Sequence, residues 1–253
     1  MNLFTAFRKE WLEALRSYRL LIAAVVLALF GLTSPLVAKL GPQILTTALP
    51  QGAEIAQLIK PATIADAVSQ YVKNMGQFEV ILAVLLGMGA VAQEKDKGTA
   101  ALMLVKPLPR GSFLGAKFLG QVVVFAISIL IAGIGSYYYT MLLFESMDIL
   151  NWLVLNIFLL IYAMVIVAIT LLCSTITKSQ AAAGGMTIAI LVIGWIAGAI
   201  RGFGKYLPGE INTWGARLVL GDSTASWIAL GTSFGVIFIS LLAAWLVFRQ
   251  QEL

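Results

Sequence analysis

At 253 residues the chain is 60% hydrophobic and 11% charged, with a mean hydropathy of +0.94, against roughly 45–50% apolar and 25% charged in an ordinary soluble domain. A soluble fold of this size must cover its outside with charge, and this chain lacks the charges to do so. The composition excludes a soluble globular protein and points to an all-α integral membrane protein that forms a single transmembrane domain over residues 1–253.

The chain opens with an amphipathic segment at 3–19. Wound at 100° per residue, Phe4, Phe7, Trp11, Leu15 and Tyr18 share one stripe, while Lys9, Glu13 and Arg16 lie opposite and Arg8 and Arg19 flank the apolar side. Five large apolar groups on one face predict an elbow helix lying in the membrane interface rather than a plain extension of the first span. The resemblance of this N-terminus to a signal peptide is superficial. Its charged region is too long and no A-x-A site precedes Lys39, so we expect it to be retained.

Six apolar runs near the ~20 residues that cross a bilayer follow at about 20–38, 74–93, 118–144, 149–173, 181–200 and 226–248. Of the 29 charged side chains only Glu79 falls inside a run, and a charge near the bilayer centre costs roughly 2.5–3.5 kcal/mol on insertion scales. The outer segment 39–73 is expected to hold two short helices separated by Pro61. Glu79 sits about five residues inside the second run. It reads either as an interfacial group reaching outer water or as a contact for substrate or ion.

The segment 94–117 is the most informative. After Gly98 and Thr99 comes a short apolar helix, Ala100 to Val105, which Pro107 and Pro109 must end; Arg110 and Ser112 start the next helix, with Ser112 as a plausible N-cap. The third run carries Gly133, Gly135 and Tyr137 to Tyr139 in its outer half, the tyrosines reading as an interfacial belt. Gly194, Gly198 and Gly202 recur every fourth residue in and just past the fifth run, a spacing that lets helices approach closely within one subunit or between two. The segment 201–225 is too short and glycine-rich for a domain and is expected to dip back into the outer leaflet, with Trp214 and Trp227 as anchors.

The connecting segments on the side of the termini carry 11 of the 17 basic residues and a net +6, and those on the other side net zero. The positive-inside rule then places both termini in the cytoplasm. The basic surplus is therefore topological, and no nucleic-acid partner follows from it. The chain has no His, a single Cys at position 173 and no G-x-x-x-x-G-K-[ST]. Histidine metal sites, a Ser-His-Asp triad and a P-loop are excluded, so no catalytic residue, metal site or bound cofactor is expected in this chain.

With these elements in place the chain resembles the permease subunits of the type 2 ABC exporter family, whose architecture is often called the type V exporter fold. The likeness rests on the elbow, the six spans and an acid-x-x-x-Gly-Thr stretch leading to Pro-x-x-Arg and a later Lys, here Glu94, Gly98, Thr99, Pro107, Arg110 and Lys117. Pro109 inside Pro-x-x-Arg is a departure from the pattern. The resemblance implies that these residues with Leu102 form a coupling helix for a separate ABC ATPase in two copies, which would bind the ATP and Mg, and that a second permease subunit completes the pore. It also implies a prokaryotic plasma (inner) membrane. Glu79 and the glycines of the fifth run fall on the second and fifth spans, which usually line the path in such transporters. A different class of function stays open: a membrane anchor or mechanical relay for the same kind of ATPase, acting on another envelope protein without transporting.

Overall fold

The computed structural model describes residues 3–48, 61–96, 109–144 and 146–251, with side chains omitted at 45–48. Within them the chain is helical and contains no strand. The helices are α1 (Leu3–Arg16), α2 (Arg19–Ala48), α3 (Ile64–Gly87), α4 (Ala92–Asp96), α5 (Arg110–Leu143), α6 (Ile149–Ile176), α7 (Gln180–Ala199), α8 (Glu210–Val219) and α9 (Trp227–Gln250), with a 3-10 turn at Gly204–Tyr206. Six stretches are long and apolar enough to cross a membrane, among them Ile64–Asp96, which joins α3 and α4.

These helices overrun the apolar runs, because a helix need not stop where its lipid-facing composition stops. α2 continues past residue 38 to Ala48. There the Lys39 ammonium donates to the carbonyl of Leu143 at the end of α5 and lies 5.2 Å from the Phe144 ring centroid. A cation is the favourable partner for the last carbonyls of a helix. The expected second short helix after Pro61 is instead the first three turns of α3. Thr63 opens it with a capping box, its N–H and hydroxyl both 2.8 Å from Asp66 Oδ2, and nothing interrupts the helix before Asn74. The first of the two, around Ile55 to Ile59, lies outside the described residues.

Two further expectations are corrected. α5 starts at Arg110, and its N-cap is Pro109, whose carbonyl accepts from Ser112 N at 2.9 Å; Ser112 is therefore in the first turn. The elbow stops at Arg16: Ser17 folds its hydroxyl back onto the Glu13 carbonyl at 2.6 Å, and Tyr18 takes a left-handed φ of 58°, which removes it from the apolar stripe.

α6 is the axis of the bundle, with α3, α5, α7, α8 and α9 packed around it and α2 lying between α3 and α5. In its most apolar window α6 is 61% buried, against 17% for α7, so α7 is a peripheral helix in the single chain. α3 and α6 run parallel. Tyr71 donates to Asn156 Oδ1 at 2.7 Å near one end, and a Cβ on Gly87 would meet Thr170 Cγ2 at 2.9 Å near the other. α2 and α5 touch through small residues: a Cβ on Gly31 would stand 2.9 Å from that of Ala132. Without a hydrophobic drive between helices in lipid, such close approach is what holds them together.

The wall between α3 and α4 is a break in the helical ladder at Met88–Val91. In hydrocarbon each backbone group freed by a break needs a partner from a neighbour. Ser174 of α6, fully buried, provides it: its hydroxyl accepts from the N–H groups of Val91 and Ala92, both at 3.0 Å, and donates to the Met88 carbonyl at 2.9 Å. Ser174→Ala leaves two buried N–H groups without an acceptor, at a cost of about 1–3 kcal/mol. The expected result is a lower thermal unfolding midpoint of the detergent-purified protein, while Thr175→Ala, whose hydroxyl only bonds back to Leu171 within its own helix, shifts it far less.

Candidate functional site: an ionic network at the terminal end

Both chain ends meet on one side of the bundle. The Arg110 guanidinium donates to the carbonyls of Phe248 and Arg249 at 2.7 and 2.5 Å. It also faces the Phe248 ring, which stacks on Phe113 at 5.4 Å. Arg110 thus caps the end of α9 from the start of α5. Gln251 Nε2 donates to the Thr175 carbonyl at 3.1 Å, and Lys95 donates to the same oxygen, so α4, α6 and α9 end together.

Beside this junction lies a charge network drawn from four helices. Lys117 of α5 is 4% exposed, and its ammonium stands 2.8 Å from Glu94 Oε1 and 3.2 Å from Glu10 Oε1. Lys9 of α1 reaches Glu94 at 3.6 Å, Glu10 at 3.7 Å and Glu13 at 3.9 Å, and Arg19 of α2 reaches Glu13 at 3.3 Å. Three cations and three carboxylates balance. A buried pair of charges is tolerable when geometry and further bonds compensate for lost hydration, and a neutral set of six does so collectively.

The elbow presents two faces, not one. Its large apolar groups stay outside, Phe4 at 75% exposure and Leu15 at 44%, with Phe7 partly buried against the core and Trp11 half-buried. The face turned to the protein is the small-residue stripe Ala6, Glu10 and Ala14, with Ala6 and Ala14 buried. Gly120 admits it, since a Cβ there would lie 3.1 Å from that of Glu10.

Of the residues singled out in the sequence, Glu94 and Lys117 come together, and Arg110 lies at the neighbouring α9 junction. Gly98, Thr99, Leu102 and Pro107 lie outside the described residues. Glu10 was not singled out: it is 107 residues from Lys117, and only its place between Ala6 and Ala14 hints that it faces protein. Glu79 is elsewhere. It sits fifteen residues into α3, about 22 Å along the helix axis, is fully buried, and has no hydrogen-bond partner at either carboxylate oxygen among the described residues. The reading that it reaches outer water is corrected, because α3 begins ten residues before the apolar run does. The glycine series is also broken: α7 ends at Ala199, and Gly202 takes a left-handed φ of 80° in the following turn. Gly194 has open space around it, while Gly198 lies against the 3-10 turn, its carbonyl 2.9 Å from a Cβ on Gly204. Within one chain the close approaches between helices include Gly31, Gly87, Gly120, Gly133, Gly135 and Gly215.

Removing Lys117 alone takes the closest cation from Glu10 and Glu94, which keep only 11% and 17% of their side-chain surface, and leaves them the longer contacts to Lys9 at 3.7 and 3.6 Å. Breaking a buried pair costs roughly 3–5 kcal/mol, and the residual exposure puts Lys117→Met near the low end, about 3 kcal/mol. The triple variant Glu10→Gln, Glu94→Gln, Lys117→Met should recover most of that loss in the same thermal unfolding measurement. Equal destabilisation by the single and triple variants would show that packing, not charge, sets the cost.

Comparison with known proteins shows the family. The family described as ABC-2 family transporter protein matches residues 4–253. An uncharacterized transmembrane protein, YxlG of Bacillus subtilis (strain 168), is 28% identical over 252 residues, which is 97% of this chain and 95% of that protein. A probable ABC transporter permease protein, NosY of Pseudomonas aeruginosa, is 33% identical over 133 residues, 53% of this chain and 43% of that one. A helical bundle with six apolar helices, matched by the family over almost its whole length, belongs to the ABC-2 transporter family of integral membrane proteins.

Proposed function

We propose that the chain is the permease subunit of an ABC exporter, driven by ATP hydrolysis on a separate ATPase subunit and paired with a second permease to enclose the path. The observation that carries this reading is Lys117. It joins the elbow through Glu10, the end of the second span through Glu94 and the start of the third span, so a partner pushing on the 94–117 segment moves all three as one body. Two ATPase copies beneath two permeases follow from the family resemblance, with ATP and Mg held by the ATPase. The charge asymmetry supports a cytoplasmic position for both termini and for the network. The prokaryotic plasma membrane follows from the same resemblance.

The interior face also carries a depression along α1, lined by Arg8, Lys9, Glu13 and Arg16, which offers a mixed-charge surface to that ATPase. In this reading the network conducts displacement, not protons or electrons. Glu94 lies only three residues beyond the break at Met88–Val91, so the stroke enters the second span below a discontinuity that Ser174 pins.

The test is a reconstituted complex of the chain with its cognate ABC ATPase. Leu102→Pro and Glu94→Lys should each reduce substrate-stimulated ATPase activity at least tenfold with membrane insertion unchanged, and Glu94→Lys combined with Lys117→Glu should restore at least half of it. Full stimulation in Leu102→Pro would overturn the coupling role. Intact stimulation with no flux into vesicles, together with a tightly bound outer protein, would transfer the chain to the relay class.

A further inference from the structure

The residues that follow α7 form a compact tip, Ile200 to Tyr206, on the side of the bundle opposite the termini. α6 ends beside Gln251, whose amide donates to the Thr175 carbonyl, so α7 starts on the terminal side and ends at Ala199 on the far side. Its 20 residues rise about 30 Å, the thickness of the hydrocarbon core. The tip therefore stands where hydrocarbon gives way to headgroups. The chain turns there through successive hydrogen bonds, from Ile200 N to Ala197 O at 3.2 Å, Phe203 N to Ile200 O at 3.1 Å and Tyr206 N to Phe203 O at 3.0 Å. Two glycines permit the turn: Gly202 takes the left-handed φ of 80°, and a Cβ on Gly204 would meet the Gly198 carbonyl at 2.9 Å. The 3-10 turn also packs on α9, so the tip is held in one shape.

Its side chains are of two kinds. Ile200, Phe203 and Tyr206 are exposed, as are Trp195 and Ile196 near the end of α7, and the Phe203 and Tyr206 rings stand edge to face with centroids 6.3 Å apart. Arg201 and Lys205 are exposed too, and neither takes part in an ion pair among the described residues. Lys205 lies over the Tyr206 ring, 5.0 Å from its centroid. The acids of the segment 200–226 are engaged elsewhere: Glu210 holds Arg217 at 2.9 Å, and Asp222 Oδ1 accepts from the Thr224 N–H and hydroxyl at 2.9 and 2.8 Å. The tip thus carries two uncompensated cations among exposed rings. At this depth rings favour the interface and cations reach for phosphate. A second copy docked through the same tip would bring four unpaired cations together, and a plain aromatic belt needs no cation. A phosphate at the headgroup level answers both the charge and the rings.

We propose that the tip is a binding site for an anionic phospholipid of the leaflet opposite the termini, its phosphate engaged by Arg201 and Lys205 and its glycerol and upper acyl carbons lying against Phe203 and Tyr206. The two long side chains, four residues apart in a closed turn, reach one headgroup. A zwitterionic lipid is the poorer ligand, because its own ammonium competes for the phosphate that the guanidinium and the lysine would bind. The bound lipid gives the far end of α7, a helix mostly unburied in the single chain, a partner besides the 3-10 turn. The inference requires only the fold and a bilayer and is independent of the permease reading.

The test places the full-length protein in zwitterionic-lipid nanodiscs doped with phosphatidylglycerol or phosphatidylcholine carrying a diazirine high on one acyl chain, and maps the photoadducts by peptide mass spectrometry. The phosphatidylglycerol probe should label the stretch 195–207 at least tenfold more than the phosphatidylcholine probe, the scale expected when each cation at an anionic headgroup adds roughly fivefold. Arg201→Gln with Lys205→Gln should make the two probes equal there, and Lys205→Arg should keep the preference. The exposed start of α6 around Leu150 and Leu153 serves as reference in the same sample. It should show no preference for phosphatidylglycerol and no change in the variants, and the wild-type comparison of the two probes stands without any variant. Equal labelling of 195–207 by both probes overturns the proposal and leaves an unselective belt. A preference that survives the double glutamine variant also overturns it. So does displacement of the probe by inorganic phosphate at matched ionic strength, which assigns the tip to a soluble anion, or a Phe203→Cys disulfide between two copies that abolishes labelling, which assigns it to a second chain.

Discussion

A lysine ammonium removed from water must have its charge answered, and the answers to Lys117 come from other helices. Glu94 approaches from the end of the second span and Glu10 from the elbow. The lysine could not stay buried without them, and each carboxylate lies closer to it than to Lys9. This mutual requirement positions α1 across the foot of α5, fixes α4 below the second span and brings Lys9 and Arg19 into the same set. Next to it, Arg110 ties the start of α5 to the end of α9. The terminal end of the molecule is therefore held by charge and directed hydrogen bonds, where the rest is held by close packing.

The same demand for satisfied polar groups governs the spans. Ser128, Thr140, Thr170 and Thr187 are buried, and each returns its hydroxyl to a carbonyl one turn back in its own helix. Such bonds let a polar residue sit in lipid without asking anything of a neighbour. Ser174 is different, since it spends its hydroxyl on the broken backbone of another helix. Tyr71, Asn156 and Trp152 form a second inter-helix group, with the Trp152 indole donating to the Gly133 carbonyl at 3.0 Å. Discontinuity in the second span thus coincides with dependence on the fourth, the helix at the centre of the bundle.

α7 and the 204–219 segment are arranged more loosely. α8 is amphipathic and buries Ile211 and Trp214 against Phe158 of α6, which brings Asn212 to a depression that Lys73 and Gln77 of α3 also line. α7 leaves Ile188, Ile193, Trp195 and Ile196 exposed. An edge helix with a large apolar outer face and small residues facing space is suited to meet lipid, ligand or a second permease.

Much of this was legible from residues alone. Six apolar runs with one internal charge require six spanning helices, because hydrocarbon excludes charge and leaves the backbone no partner but itself. The Phe4, Phe7, Trp11 and Leu15 stripe predicted an amphipathic helix, and a helix spans Leu3–Arg16, while Glu94 and Lys117, both singled out in the sequence, meet in space. The tertiary structure decided what depends on distance through space. Helix ends moved because caps such as Thr63 and Pro109 and partners such as Leu143 O for Lys39 act outside the lipid, where hydropathy carries no information. Glu79 moved from the rim to the interior because α3 starts earlier than its apolar part. Glu10 joined the network from 107 residues away, and the glycines that bring helices together proved to be those facing a neighbouring helix, a property of packing that spacing along one helix cannot contain.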